Sequence, residues 1–170
     1  ILFLVLTSCG TETSPTFSVK IESIPNDGGT ISYSPQGNSY ERGSIITFEA
    51  VPNDHYVFSR WEGDLSGSKN PVELYVDDNH TIRGVFQKKY YPLVVNIIGS
   101  GKVNEELIST KGTDYQHGST VSLEAIPDEG WDFDYYSNNV QLSTNTSGTV
   151  IVNDQTVVNA YFSRKTFSIE

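Results

Sequence analysis

The chain has no methionine and only one cysteine, Cys9, among its 170 residues. Because methionine is absent, Ile1 is not a natural initiator, and we expect the sequence to be a fragment of a longer reading frame. A single cysteine excludes an intramolecular disulfide framework and a metal site built from several cysteines. The chain also lacks any convincing run of helix-period apolar residues, which disfavours a helical fold.

Basic residues are scarce as well. The chain has 11 Lys and Arg against 21 Asp and Glu, which gives a formal net charge of −10. Binding to a phosphate backbone requires clustered Lys and Arg, so we expect no nucleic-acid partner. An acidic surface is also repelled by anionic lipid headgroups. The composition therefore favours an exported protein with a solvated surface.

The longest apolar run, ILFLVL, lies at the N-terminus and is followed by Thr7-Ser8-Cys9. It is shorter than the roughly 20 apolar residues that span a bilayer, and such a run before small residues is typical of a secretory signal. The segment Leu6–Cys9 resembles the lipobox of bacterial lipoproteins, whose cysteine is acylated and becomes the mature N-terminus. We therefore predict a signal remnant at 1–9, lipidation at Cys9 and a tether at 10–16. The alternative is that Cys9 is a buried, inert thiol.

Most of the remaining chain is a tandem repeat. The segment Tyr40–Trp61, YERGSIITFEAVPNDHYVFSRW, aligns without a gap on Tyr115–Tyr136, YQHGSTVSLEAIPDEGWDFDYY. A fixed period determines the architecture more strongly than any local pattern. It predicts one repeat at 17–88, a second at 89–164 and the truncated start of a third at 165–170.

Each repeat contains short strand patterns separated by turn residues. In the stretch SIITFEAV, alternation places Ile46, Phe48 and Ala50 on one face of a strand. Pro52 ends this strand because proline cannot continue a central ladder. Such closely spaced strands predict an all-β fold of two small antiparallel domains, either β-grasp-like or small sandwiches.

Four motifs resemble the divergent internalin-type B-repeat domains, which occur in tandem on bacterial surface and secreted proteins. The motifs are GGTISYSP, IITFEAVP, HYVFSRWEGDLSG and the closing IRGVF. The second repeat departs from the pattern, because Tyr136 replaces the tryptophan and no Gly-Asp follows it. The resemblance implies spacer or adhesive modules with a β-grasp-like or more purely β fold, and it implies no particular ligand.

The two tryptophans, Trp61 and Trp131, occupy different positions of the repeat, and Tyr136 and Tyr56 fill the alternate places. Such an interchange favours packing that tolerates differences in size over a tuned binding site. One aromatic side chain buries about 150–250 Å², which a small domain needs. We predict that both are core anchors, with a sugar-stacking platform as the alternative.

Acidic turns are candidate cation ligands. Asp77-Asp78-Asn79 and Asn153-Asp154 precede the last strand of each repeat, and Glu62-Gly63-Asp64 follows another strand. Calcium takes about six to eight oxygen ligands, and this spacing is not that of an EF-hand loop. Turn formation by Asx side chains is the simpler interpretation. A weak ion held by the carboxylates of Glu62 and Asp64 is the alternative.

The histidines His55, His80 and His117 do not recur between repeats; His55, for example, aligns with Gly130. The repeated acids Glu49 and Glu124 alternate with core positions, which favours a solvated sheet face. No nucleophile–base set, hydrolase motif or phosphate-binding loop is present in the sequence. We therefore predict a protein that is not an enzyme and has no cofactor or metal.

These observations lead to two hypotheses about function. The first is a lipid-anchored protein of the bacterial envelope, at the outer membrane or cell surface, whose repeats act as spacers or adhesion modules. Its partners would be the membrane, through the lipid, and surface glycans or proteins. The alternative is that the repeats are the N-terminal spacer of a longer enzyme or carbohydrate-binding protein whose active domain lies beyond residue 170.

Overall fold

The computed structural model describes residues 14–107, 114–137 and 140–167. The chain forms two compact units, Ile1–Gln87 and Lys88–Glu170. Their described residues form β-strands, turns and irregular segments, and no helix occurs among them. Cys9 lies outside the described residues, as do residues 10–13 of the predicted tether and 168–170 of the predicted third repeat.

The described residues of the first unit form eight strands, arranged in two three-stranded sheets and one short pair. The first sheet has the order β2-β8-β6, the second has the order β3-β5-β7, and β1 pairs with β4. The strands are β1 (Thr16–Phe17), β2 (Val19–Ile24), β3 (Gly29–Ser34), β4 (Tyr40–Glu41), β5 (Ile45–Pro52), β6 (Tyr56–Gly63), β7 (Val72–Tyr75) and β8 (His80–Lys88).

The second unit repeats this arrangement with one additional edge strand. Its sheets have the orders β10-β17-β14 and β11-β13-β16-β15, and β12 pairs with β9. The strands are β9 (Tyr90–Tyr91), β10 (Leu93–Ile98), β11 (Gly101–Leu107), β12 (Tyr115–Gln116), β13 (Ser119–Pro127), β14 (Trp131–Tyr136), β15 (Gln141–Leu142), β16 (Ser147–Val152) and β17 (Thr156–Arg164).

The core of the first unit is formed by the inward faces of both three-stranded sheets. Ile46, Phe48 and Ala50 are buried on β5, as the alternation predicts, and they share one cluster with Trp61 and Ile82 from the other sheet. Side chains from two sheets thus interdigitate as in a small β-sandwich. The all-β, tandem fold is confirmed.

The core of the second unit uses the equivalent positions of the repeat. Val121, Leu123 and Ala125 on β13 take the places of the three β5 residues, and they cluster with Val158 and Phe162 on β17. Each substitution keeps an apolar side chain of similar size. Cores accept such changes when volume and pattern are retained.

One glycine in each repeat lets the closing phenylalanine approach the backbone. A Cβ atom at Gly29 would lie 2.5 Å from Cε1 of Phe86, and one at Gly101 would lie 2.5 Å from Cε1 of Phe162. Any larger residue would therefore displace the ring. This contact gives a physical reason for the glycine that GGTI and SGKV share.

Each unit also contains a parallel strand pair, where the sequence predicted antiparallel pairing only. Val19 to Ile24 of β2 run beside His80 to Val85 of β8, and Leu93 to Ile98 of β10 run beside β17 in the same sense. Parallel neighbours need a long crossover connection. Here the intervening strands of the repeat form that connection, and no short-range pattern signals it.

The parallel pair determines where the chain enters and leaves a unit. In the first unit, β2 begins at the same sheet end as His80, whereas β8 ends at Lys88 on the opposite end. The nine residues of β8 are separated by eight steps of about 3.3 Å, which correspond to roughly 26 Å of strand. Each unit therefore passes the chain from one end of its sheet to the other.

Candidate functional site

Trp61 is a core residue. Its side chain is 1% exposed, its ring packs 4.9 Å from Phe58 and 6.4 Å from Phe48 between centroids, and its Nε1 donates to the Lys69 carbonyl at 2.9 Å. The ring has no free face for a ligand. The prediction that Trp61 is a core anchor is therefore supported by its contacts.

Trp131 is half-buried and packs at the margin of the second core. The guanidinium of Arg164, its register partner on β17, lies 5.4 Å from the ring centroid in a cation–π contact. Tyr136, at the Trp61 position, is the more deeply buried residue, and its hydroxyl donates to the Thr146 carbonyl at 3.2 Å. Trp61 and Tyr136 thus fill the same core position in the two repeats, and Trp131 occupies a different, less buried position.

The acidic turn Asp77-Asp78-Asn79 is held in place by hydrogen bonds that its residues form with backbone and side-chain groups of the same unit. Asn79 Oδ1 accepts from the backbone N–H of Ser18 at 2.8 Å, and the Asp78 carboxylate accepts from the N–H of Asn79 at 2.7 Å. The Asp77 carbonyl accepts from Arg42 at 3.0 Å. The Asp78 and Asn79 side chains therefore stabilise the turn, as predicted, but they do so through the N–H groups of the next residue and of Ser18. An Asx turn would instead use the N–H two residues on.

The two carboxylates of the segment Glu62-Gly63-Asp64 bind different partners. Glu62 forms an ion pair with Arg60 on the same strand, whereas Asp64 Oδ2 accepts from the backbone N–H of Thr81 at 2.7 Å. Each carboxylate thus has a separate partner within the unit. Among the described residues no group of three or more His, Cys, Asp and Glu could hold a metal ion.

His80 has an environment that the sequence did not reveal. Its side chain is 11% exposed, with Nε2 lying 3.2 Å from Asp77 Oδ1 and Nδ1 lying 3.5 Å from Asp64 Oδ2. Both nitrogens are buried, and within residues 14–107 neither has a hydrogen bond of good geometry. The turn and the loop come together around this ring only in the folded unit.

The other two histidines lie at turns. His55 has a φ of 66°, and the aligned Gly130 has a φ of 80°, so both repeats use a left-handed residue at this corner. The Nδ1 of His117 lies 2.7 Å from the carbonyl oxygen of Asn153. These positions are consistent with roles in turn geometry.

The buried tyrosines of the second unit titrate abnormally. Burial raises the pKa of Tyr115 to about 12, assisted by its hydrogen bond of 2.6 Å to Glu105. Burial also raises the pKa of Tyr136 to about 12, with the nearby charge of Glu124 as a second cause. Both hydroxyls stay neutral at physiological pH and act as hydrogen-bond donors. Glu124 and its counterpart Glu49 are solvent-exposed, as the alternation predicts.

The two units differ on the solvent face of the sheet that contains the parallel pair. In the first unit this face is charged: Glu22 pairs with Lys20 at 2.7 Å and with Arg83 at 2.8 Å. These two bonds, that of Lys20 foremost, lower the pKa of Glu22. The face is therefore covered by ionised groups.

In the second unit the same face has no ionised side chain at the corresponding positions. Val94 pairs with Val157, Asn96 pairs with Asn159, and Tyr161 pairs with Tyr135. We call these six residues the uncharged face. The sequence analysis did not single them out, because only the strand register brings three separate stretches together.

A family model of the divergent InlB B-repeat domain matches residues 19–90 and again residues 91–166. The chain belongs to the divergent InlB B-repeat family. The two matches cover most of the chain, and they coincide with the tandem period found in the sequence. Divergent InlB B-repeat domains in tandem indicate a surface or adhesion-type module of a bacterial exported protein.

No curated protein and no solved structure matches the chain. Within the described residues, no helix has the length and hydropathy of a membrane span. The family and the all-β fold favour a module that is not an enzyme.

Proposed function

We propose that the chain is a non-catalytic, lipid-anchored protein of the bacterial envelope, at the outer membrane or cell surface, whose two repeats act as spacer or adhesion modules. The observation that carries the proposal is the tandem match to the divergent InlB B-repeat domain over residues 19–90 and 91–166. Tandem modules act through length and valency, so that several weak contacts add up to useful avidity.

The strand topology supports the spacer role. Because β2 and β8 run parallel, the chain enters the first unit at one end of the sheet and leaves it at the other. The pair formed by β10 and β17 does the same in the second unit. Each unit by itself therefore separates the segment that precedes it from the segment that follows it by the length of its sheet.

The contacts of the polar side chains support a non-catalytic role. Asp64, Asp78 and Asn79 each bond to backbone N–H groups of their own unit. They are thereby committed to holding turns. A general acid or base needs a carboxylate or imidazole directed at a substrate site, and these groups point at the fold itself.

The N-terminal sequence supports the lipid anchor. Leu6-Thr7-Ser8-Cys9 has the aliphatic, small, small, cysteine order of a lipobox. Two or three acyl chains would hold the protein stably, where a single chain is marginal.

Substitution of Cys9 tests the anchor. We expect the Cys9→Ala variant, expressed in a bacterial host with its natural leader, to lose palmitate labelling and to leave the membrane fraction. Ser8→Gly, which keeps a small residue, is the matched control and should retain both signals. Membrane retention and labelling of Cys9→Ala would contradict the proposal.

Protease treatment of intact cells tests the surface location. We expect added protease to remove an epitope placed in the second repeat while a periplasmic marker survives. Protection of the epitope in intact cells, with digestion after lysis, would contradict surface display.

A further inference from the structure

The uncharged face of the second unit combines aromatic, aliphatic and amide groups on three adjacent strands. The rings of Tyr135 and Tyr161 stack at 4.5 Å between centroids with 18° between their planes. Val94 and Val157 lie at the other end of the same face. Between these ends, Asn96 Nδ2 donates to Asn159 Oδ1 at 2.9 Å.

The hydrogen bond between the two amides uses only part of their donor and acceptor capacity. Its single hydrogen bond uses one proton of Asn96 and one oxygen of Asn159. An amide offers two donors and an acceptor oxygen. The Oδ1 of Asn96 and the Nδ2 of Asn159 therefore remain for a ligand, one as acceptor and the other as donor.

The exposed rings and methyl groups form a small apolar surface. Tyr135 is 51% exposed, and Val94 and Val157 are each 40% exposed. Together with the partly exposed Tyr161 these side chains present on the order of 300 Å². A stable protein–protein interface buries about 800 Å² on each partner. The surface is too small for a stable interface with a second copy of this protein. Its size matches a ligand built from linked small rings.

Charge narrows the choice of ligand further. The chain has a formal net charge of −10, and Asp132 and Asp134 lie on β14 at the border of the face. An anionic polymer would be repelled, and the six residues of the face offer no cation to hold it. A neutral ligand that has apolar ring faces and hydroxyl groups matches both the tyrosines and the amides.

We propose that the uncharged face binds a neutral polysaccharide, with sugar rings packed on the faces of Tyr135 and Tyr161 that their mutual stacking leaves uncovered and with hydroxyls bonded to Asn96 and Asn159. This inference extends the adhesion role proposed above. The sequence analysis raised glycan binding as an alternative role of the two tryptophans. The proposed glycan site is instead the uncharged face, whose residues come together only through the strand register. The first unit cannot bind in this way, because Lys20, Glu22 and Arg83 occupy its corresponding face.

Affinity electrophoresis of the purified chain tests the proposal. The gels contain hydroxyethyl cellulose, glucomannan or galactomannan as neutral probes and alginate as an anionic probe. We expect retardation by at least one neutral probe and none by alginate. We expect Tyr161→Ala to weaken the association at least tenfold and Asn159→Ala to weaken it less, while Arg83→Ala in the first unit leaves it unchanged.

Three outcomes would overturn the proposal. They are the absence of retardation by every neutral probe, retardation that Tyr161→Ala does not alter, and a chain dimer in light scattering that Tyr161→Ala dissociates. Tyr135→Ser, at the more exposed ring, replaces Tyr161→Ala if that variant loses its circular dichroism spectrum. Because purified protein is used, failure would leave the membrane anchoring of Cys9 untouched, and that is tested separately.

Discussion

The two repeats share their interior and differ in their exterior. Phe48 and Leu123, Ile82 and Val158, and Phe86 and Phe162 fill equivalent core positions. On the solvent face of the sheet with the parallel pair, an ion-pair network in one repeat is replaced by tyrosines, valines and an amide pair in the other. Burial restricts the core to apolar side chains of similar volume. The solvent face has no such restriction, so differences in function are to be sought there.

The two repeats also differ in the group that hydrogen-bonds the backbone of one equivalent alanine, Ala50 in the first repeat and Ala125 in the second. In the first repeat the side chain of Asn70 accepts from the Ala50 N–H at 2.9 Å and donates to the Ala50 carbonyl at 2.8 Å. In the second repeat the equivalent Ala125 N–H donates to the backbone carbonyl of Thr146 at 2.9 Å. A partly buried strand must have its polar groups bonded, but the partner can be side chain or main chain.

The largest expected loss of stability comes from replacing Trp61, and it should differ clearly from the loss at Trp131. Trp61→Ala should destabilise the first repeat by about 3–5 kcal/mol because it empties a core site, and Trp131→Ala should cost the second repeat clearly less because its ring is only half-buried. Chemical denaturation followed by far-UV circular dichroism measures both. Equal losses would contradict the different roles assigned to the two residues.

The next effect concerns two glycines of the first repeat, one at the end of β6 and one in the loop that follows. Gly63 has a φ of 89°, and a Cβ there would collide with the Thr81 carbonyl, whereas Gly67 has a φ of 84° with open space around it. Gly67→Ala should cost about 1–2 kcal/mol from the left-handed backbone alone. Gly63→Ala should cost more than that, and denaturation midpoints of the two variants provide the comparison. A Gly63→Ala loss no larger than that of Gly67→Ala would refute the close approach.

Removal of the Asn70 side chain should affect the first repeat alone. Asn70→Ala leaves the N–H and carbonyl of Ala50 without these partners, at a cost of about 1–3 kcal/mol. Thr146→Ala is the matched control, because in the second repeat the backbone makes the bond. We expect that variant to stay within about 0.5 kcal/mol of the parent. A substantial loss in Thr146→Ala, or none in Asn70→Ala, would break the comparison.

High pH should weaken the second repeat. The pKa of Tyr115 and that of Tyr136 are about 12 in the fold, against about 10 for an unfolded tyrosine. Above pH 10 the unfolded chain therefore binds fewer protons, and the stability present below pH 10 falls as the pH rises to 12. The loss should be on the order of 1–2 kcal/mol for each tyrosine.

Denaturation at pH 9 and pH 11.5, with tyrosinate absorbance at 295 nm as a second readout, measures this loss. Glu105→Gln removes the anionic acceptor of Tyr115 and should lower the pKa of that tyrosine, while burial keeps it above the usual range. A denaturation midpoint that does not change between pH 9 and pH 11.5 would contradict the assignment.

Local patterns were sufficient to predict the longer strands and the core alternation, and comparison of the chain with itself predicted the tandem period. The two-residue strands, such as β4, were not predicted. The positions of Ile46, Phe48 and Ala50 follow from alternation alone, and the all-β class follows from the density of such stretches. The parallel pairing of β2 with β8 was missed, because it joins residues some 60 positions apart in the chain: Val19 faces His80. The surroundings of His80 and the uncharged face were missed for the same reason. In both cases the strand pairing brings together residues that are far apart in the sequence.

The central claim is that each repeat carries the chain from one end of a sheet to the other. Electron–electron double resonance between spin labels at Lys20 and Gln87, in a Cys9→Ser background, tests it most directly. Lys20 is the register partner of Thr81, and β8 runs from there to Gln87, so about six strand steps, roughly 20 Å, separate the two backbone sites. The account predicts a single distance between about 20 and 30 Å once the label arms are included. A distance below about 15 Å, as antiparallel pairing of these strands would give, would contradict it.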